Sequence, residues 1–255
     1  MANLRADVRV FVDLDALSDA AAVEFVSASQ NAVSERGRFL VSFSGGATPE
    51  KLYDLLGRAP YRDQTDWAAV HAFWGDERCV PPDDSQSNYG QVLELLLSKV
   101  PLPPENIHRI CGELGAEAAA DDYERVLKIF STKPFDWPRF DLALLGLGTD
   151  GHTAALFPGS DVDALRSVMP TSSAYGDRPS SRVTLTPPVF NSARSVMYLV
   201  SGSEKAAILA AVLQGEYRPA ALPAQRIRPN EGQSIWMVDR AAAAGLPPHA
   251  AIMKE

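Results

Sequence analysis

Only two cysteines, Cys79 and Cys111, occur in the 255-residue chain. They are too few for a disulfide framework and too far apart in sequence for a paired metal-ligand motif, a usage that fits a reducing compartment, so a cytoplasmic location is expected. Long apolar runs are also missing. The longest, such as Leu142–Leu145, fall far short of the roughly 18 residues a membrane-spanning helix needs, and charges in the opening stretch MANLRADVRVFVD stand where a secretory signal would be apolar. No membrane partner is expected. A basic surplus is lacking as well: 24 Lys and Arg against 32 Asp and Glu leave a formal charge of -8. That balance speaks against nucleic acid, whose phosphates demand a basic face. Neither a G-x-S-x-G elbow nor an H-E-x-x-H pair occurs, so a covalent serine mechanism and a zinc hydrolase motif both lack support. No metal and no cofactor are expected.

What the chain does contain is apolar material for a core, 46% hydrophobic against 22% charged residues. Short β-branched or apolar runs alternate with longer amphipathic stretches. The strands predicted are Val8–Val12, Phe39–Phe43, Val70–Trp74, Leu142–Leu147, Val183–Thr186, Val196–Val200 and Ile235–Val238. Helices are predicted at Ala16–Glu35, Pro49–Leu56, Tyr89–Lys99, Ala116–Phe130, Glu204–Leu213 and Arg240–Ala243. This rhythm is that of an α/β protein, a mostly parallel sheet with crossover helices on both faces. Thr171–Ser181 reads as a surface loop, not a linker, so residues 1–255 are expected to form a single domain.

In open parallel sheets ligands collect beyond the carboxyl ends of the strands. Four such junctions carry chemistry. After Phe39–Phe43 comes Ser44-Gly45-Gly46-Ala47-Thr48-Pro49-Glu50, where Thr48 reads as an N-cap, Pro49 as the first helical residue, and the two glycines let backbone N–H groups approach an anion. The loop lacks the Lys of a nucleotide P-loop. After Val70–Trp74 comes Gly75-Asp76-Glu77-Arg78, three charges of which at least one is expected to face the crevice, with Arg78 suited to phosphate or carboxylate. The polar run Asp83–Asn88 reads as the cap of the next helix.

The third junction, Gly146-Leu147-Gly148-Thr149-Asp150-Gly151-His152-Thr153, spells G-x-G-x-x-G after a strand. Dinucleotide binding is nevertheless excluded, because Pro158 arrives about two helical turns later and no second strand ending in an acidic residue follows. What remains is a glycine bend that presents His152 beside Asp150. Histidine is the side chain best placed to exchange a proton near neutral pH, and its position in a bend, off any apolar face, points to a general base. Fourth, Ser201-Gly202-Ser203-Glu204-Lys205 reads as a capping box, with Lys205 in a first helical turn, where a bound anion would offset its unfavourable placement against the helix dipole. His71, His108 and His249 have no comparable surroundings and read as structural or exposed.

Taken together, Ser44–Pro49, Gly75–Arg78 with Ser87-Asn88-Tyr89, Asp150–Gly159 and Arg182–Thr186 resemble the glucosamine-6-phosphate isomerase/6-phosphogluconolactonase family, as does the tail Leu222–Pro229 with Trp236 and Asp239. The resemblance spans about residues 39 to 240 and implies a Rossmann-like fold. Deaminases of that family carry Asp-Glu-Tyr where this chain has Asp76-Glu77-Arg78, and Asn-Glu-Pro where it has Leu156-Phe157-Pro158. Both differences favour the lactonases. The implied activity is hydrolysis of 6-phosphogluconolactone to 6-phosphogluconate in the pentose phosphate pathway. A lactone is an activated ester, so one base and modest oxyanion stabilisation suffice.

In that scheme His152 activates water, Asp150 or Asp76 orients it, and N–H groups of the Gly148–Gly151 bend receive the oxyanion. Ser44, Gly45, Gly46, Thr48, Arg78, Arg182 and Lys205 share the phosphate and the sugar hydroxyls. The implied partner is a small sugar-phosphate lactone, bound by a monomer or weak homodimer. The alternatives are a sugar-phosphate isomerase or deaminase on the same scaffold, and a non-catalytic sugar-phosphate sensor.

Overall fold

The computed structural model describes residues 6–161, 165–173, 179–247 and 252–253. Strand β1 (Ala6–Phe11) leads into α1 (Leu14–Arg36), whose start is fixed by the Asp13 carboxylate accepting from Ala16 N–H and whose end is fixed by Gly37 at φ 70°, donating to Val33 O. The helix buries Leu17, Ala21, Phe25 and Ala32. Then come β2 (Phe39–Phe43), α2 (Glu50–Leu56), α3 (Tyr61–Gln64) and β3 (Val70–Trp74). After Gly75 the chain enters β4 (Asp76–Arg78), followed by α4 (Asn88–Leu95), β5 (Ile107–His108), α5 (Ala116–Ile129) and β6 (Leu142–Gly146). The remainder supplies β7 (Val168–Ser172), β8 (Ser181–Leu185), α6 (Pro187–Ser192), β9 (Ser195–Val200), α7 (Ala206–Gln214), β10 (Gln233–Asp239) and β11 (Ile252–Met253).

Eight strands form a parallel sheet in the order β11-β1-β10-β9-β6-β2-β3-β5. From β2 the chain winds outward through β3 to β5, and from β6 it winds the other way through β9 and β10. The winding therefore reverses between β2 and β6, so the loops leaving their carboxyl ends diverge and open a crevice at mid-sheet. Those loops are Ser44–Pro49 and Leu147–His152. β2 and β9 are wholly buried, and β6 and β10 nearly so, which explains why they read as continuous apolar runs. Among the described residues no helix is long and apolar enough to cross a membrane.

A second, antiparallel sheet has the order β4-β8-β7. The expected strand Val183–Thr186 exists, as Ser181–Leu185, but it lies here and not in the parallel sheet. The reason is connection length. Ser172 pairs with Ser181 across a hairpin, whereas a parallel crossover needs a dozen or more residues. The expected surface loop Thr171–Ser181 is thus partly strand; residues 174–178 lie outside the described residues, as does His249. Two expected helices are 3-10 turns in whole or part: Ala242–Gly245 takes the place of Arg240–Ala243, and Ser203–Lys205 precedes α7. α4 is likewise shorter than predicted, with a separate 3-10 turn at Leu97–Lys99.

Candidate active site

Strand geometry explains how the small sheet serves the crevice. Alternate residues of a strand face opposite ways, so Asp76 and Arg78 share one face of β4 and line a cavity, while Glu77 faces α4. All three are nearly buried, and two of them face the crevice, where at least one was expected. The ladder sets Asp76 opposite Thr184 and Arg78 opposite Arg182. Two like charges directly across a strand pair oppose one another, and a bound anion would relieve that opposition. Arg182 is 2% exposed, its guanidinium 5.1 Å from the centroid of Phe157, and its Nε donates to Pro179 O at 3.1 Å.

The cavity holds about 230 Å³. It is walled by the Ser44–Pro49 loop, by Asp76, Arg78, Asn88 and Arg182, by Gly146–Gly148 with His152 and Ala154, and by Ser201, Glu204 and Lys205. Nearly every residue singled out in the sequence is brought together here. Two are not on its wall. Asp150 stands behind His152, its Oδ1 2.6 Å from His152 Nδ1 and accepting from His152 N–H at 3.0 Å. Burial alone would raise the Asp150 carboxyl, yet the hydrogen bonds from the His152 ring and backbone outweigh it and hold the group below its usual range. Gly151, at φ 87°, faces Leu222 and Ile208, so its role is the turn and close packing.

Several N–H groups expected to be available are engaged. Gly148 N–H donates to His152 O at 2.8 Å and Gly151 N–H to Gly148 O at 3.0 Å. The bend is thus bound to itself, and these two amides do not serve as an oxyanion hole. Gly148 matters for another reason, because a Cβ there would overlap the His152 ring and the Asp150 carboxylate. In the β2 loop, Ser44 N–H donates to Tyr53 Oη (3.2 Å) and Gly46 N–H to Gln91 Oε1 (3.0 Å). The amides of Gly45, Ala47 and Thr48 have no acceptor among the described residues. Thr48 is not the cap of α2, which starts behind Pro49 without a side-chain cap and is only seven residues long. The expected capping box after β9 is absent too. Ser201 Oγ donates to Asp239 Oδ2 at 2.5 Å, and the turn that ends at Lys205 begins behind Gly202 without a side-chain cap. The Lys205 ammonium has no hydrogen-bond or ion-pair partner among the described residues.

Asp76 lies against cationic groups yet is almost enclosed. Burial lifts its carboxyl above the usual carboxylate range, although the charges of Arg78, Arg182 and His152 and a hydrogen bond with Asn88 pull the other way. Asn88, Ser201, Glu204 and Ala154, which sequence reasoning missed, complete the wall. Ala154 carried no signal of its positive φ of 49°, and Asn88 was read as part of a helix cap and of the family resemblance, without a place in the site. Among the described residues, no group of three or more His, Cys, Asp or Glu is placed to hold a metal ion.

A parallel α/β sheet whose switch-point crevice combines cations, unengaged amides and a carboxylate-bound imidazole defines a class of proteins that handle small phosphorylated molecules. The sequence matches the glucosamine-6-phosphate isomerases/6-phosphogluconolactonase family over residues 12–236, and the chain belongs to that family. It is 40% identical over 222 residues to the chloroplastic 6-phosphogluconolactonase 3 of Arabidopsis thaliana, covering 83% of this chain and 66% of that relative. It is 36% identical over 206 residues to the 6-phosphogluconolactonase of Haemophilus influenzae, covering 79% and 85%. Among solved structures, the 6-phosphogluconolactonase of Trypanosoma cruzi superposes with a TM-score of 0.85 at 27% identity, over 96% of this chain and 98% of that one.

Proposed function

We propose that this cavity hydrolyses a phosphorylated sugar lactone by general-base activation of water. The chain acts as a lactone hydrolase, converting 6-phospho-D-glucono-1,5-lactone to 6-phosphogluconate in the pentose phosphate pathway, as the names of its relatives in Arabidopsis and Haemophilus support. The observation that carries the mechanism is the 2.6 Å contact of His152 Nδ1 with Asp150. A carboxylate accepts there, so the ring takes the Nδ1–H tautomer and leaves the lone pair on Nε2, in a ring that lines the cavity. His152 takes a proton from water as the water attacks the carbonyl, and returns it to the ring oxygen as the ester bond breaks. Asp150 orients the base.

Arg78, Arg182, Lys205 and the amides of Gly45, Ala47 and Thr48 hold the phosphate and the sugar hydroxyls, with Ser44 and Gly46 shaping that loop. The oxyanion falls to the cationic side chains, since the amides of Gly148 and Gly151 donate within the bend. Asp76 is placed to accept from a sugar hydroxyl. Residues 1–255 act as one domain in this reading, because a single apolar cluster joins Val8 on the parallel sheet to Val183 on the antiparallel one. A cytoplasmic monomer or weak homodimer is the proposed form, the location supported by two unpaired thiols. The test is a pH-stat or coupled assay on freshly made lactone, corrected for spontaneous opening, with glucosamine 6-phosphate as the comparison substrate. A rate no faster than the uncatalysed one, or ammonia release at a comparable rate, overturns the assignment.

A further inference from the structure

Glu77 stands between the two residues of β4 that line the cavity but takes no part in lining it. The residue is 2% exposed, and its carboxylate pairs with no cation among the described residues. Four donors converge on it instead. Oε1 accepts from Arg78 N–H and Asn88 N–H, both at 2.7 Å, and Oε2 accepts from Tyr89 N–H at 2.7 Å and from Ser87 Oγ at 3.1 Å. Ser87 Oγ in turn accepts from Gly90 N–H as the cap of α4. The first amides of α4 are thereby bound to the middle of β4, and the helix cannot move without the strand.

The residue set in place by this strap is Asn88. Its Nδ2 donates to Asp76 O at 2.9 Å, and its Oδ1 occupies the space that a Cβ at Gly45 would need, so Gly45 and Asn88 can pack only with glycine at that loop position. Asn88 is 1% exposed, and its Oδ1 has no hydrogen-bond partner among the described residues. A buried amide oxygen left unmatched costs about 1–3 kcal/mol, so Asn88 stays in this place only because its neighbours hold it there.

We propose that Glu77 is a positioning residue of the sugar-phosphate site, acting through the start of α4 to hold Asn88 against Gly45 and Asp76, and so fixing the Ser44–Thr48 loop and Asp76 where they face the substrate. This rests on the reading of the cavity as a lactonase site. The carboxylate is required because each of its oxygens accepts two hydrogen bonds. A glutamine of the same shape offers one acceptor oxygen and turns an N–H₂ group toward two donors.

The experiment is a double-mutant cycle of Glu77→Gln and Asn88→Ala, read as KM and kcat for the lactone and as calorimetric affinity for 6-phosphogluconate, with thermal melts to establish folding. Each single variant should raise KM and weaken product binding about tenfold with kcat changed less than threefold. The double variant should be no worse than the poorer single one, since both remove the same interaction. Lower thermal stability with KM unchanged in Glu77→Gln would reduce Glu77 to a structural role and overturn the proposal, as would effects that multiply in the double variant. Should Glu77→Gln not fold, Asn88→Ala decides alone, and a KM within twofold of the parent overturns it. Product affinity needs no turnover, so a parent protein that binds the product without hydrolysing lactone fails the reaction assignment while the strap is still tested.

Discussion

His152 is held twice by Asp150, at its ring and at its backbone N–H, a double hold that suits the imidazole to the role of base proposed for it. His152→Ala should lower kcat by at least about 10² while leaving 6-phosphogluconate affinity within a few-fold, because a general base acts mainly in the transition state. Single-turnover rates with calorimetric binding check this, and a near-normal rate removes His152 from the role. Lys205 offers the contrasting case. The phosphate contact proposed for its ammonium is made equally in ground and transition states. Lys205→Ala should therefore raise KM about tenfold or more with kcat nearly unchanged; an unchanged KM would exclude it from the phosphate site. Both residues were legible in the sequence because each sits in a short loop with an odd local chemistry, a histidine among glycines and a lysine in a first turn. Asn88 and Glu204 were not. Their places on the cavity wall arise from contact with other loops, and their reading as helix-cap residues gave no sign of it.

Elements show a similar division. The buried parallel strands are plain in the sequence, since an apolar run bounded by turn residues has few other uses. β4 and β7 escaped notice for physical reasons. Asp76-Glu77-Arg78 has no apolar alternation, because its two faces are satisfied by a polar cavity and a helix start, and β7 carries Pro170 within a run of only five residues. The small sheet is fastened to α5 by Glu124, whose carboxylate accepts from Ser167 N–H, Val168 N–H and Arg166. Burial would raise this carboxyl, but those hydrogen bonds and the Arg166 charge outweigh it and hold it below the usual range. The folded state then favours the ionised form. Its stabilising contribution is complete above the unfolded value of about 4.3 and vanishes as pH falls through the lowered folded one. Glu124→Gln should cost about 1 kcal/mol at pH 7 after allowance for solvent screening. In melts between pH 7 and 3 its deficit against the parent should close below about pH 4; a deficit constant across that range would refute the account.

At the scale of the whole molecule, acid sensitivity also enters at the outer edge of the parallel sheet. His71 on β3 and His108 on β5 stack with their ring nitrogens 3.1 Å apart, packed against Phe73 and Phe130 and near Arg38. Burial, with the neighbouring ring, lowers His108 to about 4, and burial with the Arg38 charge lowers His71. An unfolded histidine takes up its proton near 6.5. Below that pH the unfolded chain binds protons that the folded pair refuses, so stability should decline from about pH 6.5 toward pH 4. His108→Gln should flatten the melting temperature against pH over that interval, and an unaltered slope would locate the sensitivity elsewhere.

The sheet order carries a consequence for synthesis on the ribosome. β1 is made first, yet its neighbours in the sheet are β10 and β11, which are made last. Through most of translation the strand has no partner to pair with, although α1, whose Phe25 packs on Phe39 and Phe43, can already close on β2, and β2, β3 and β5 can already pair with one another. At about 5–20 residues per second the nascent chain spends many seconds with that edge open. Its first strand is thus a standing invitation to chaperones until the final segment emerges and seals it.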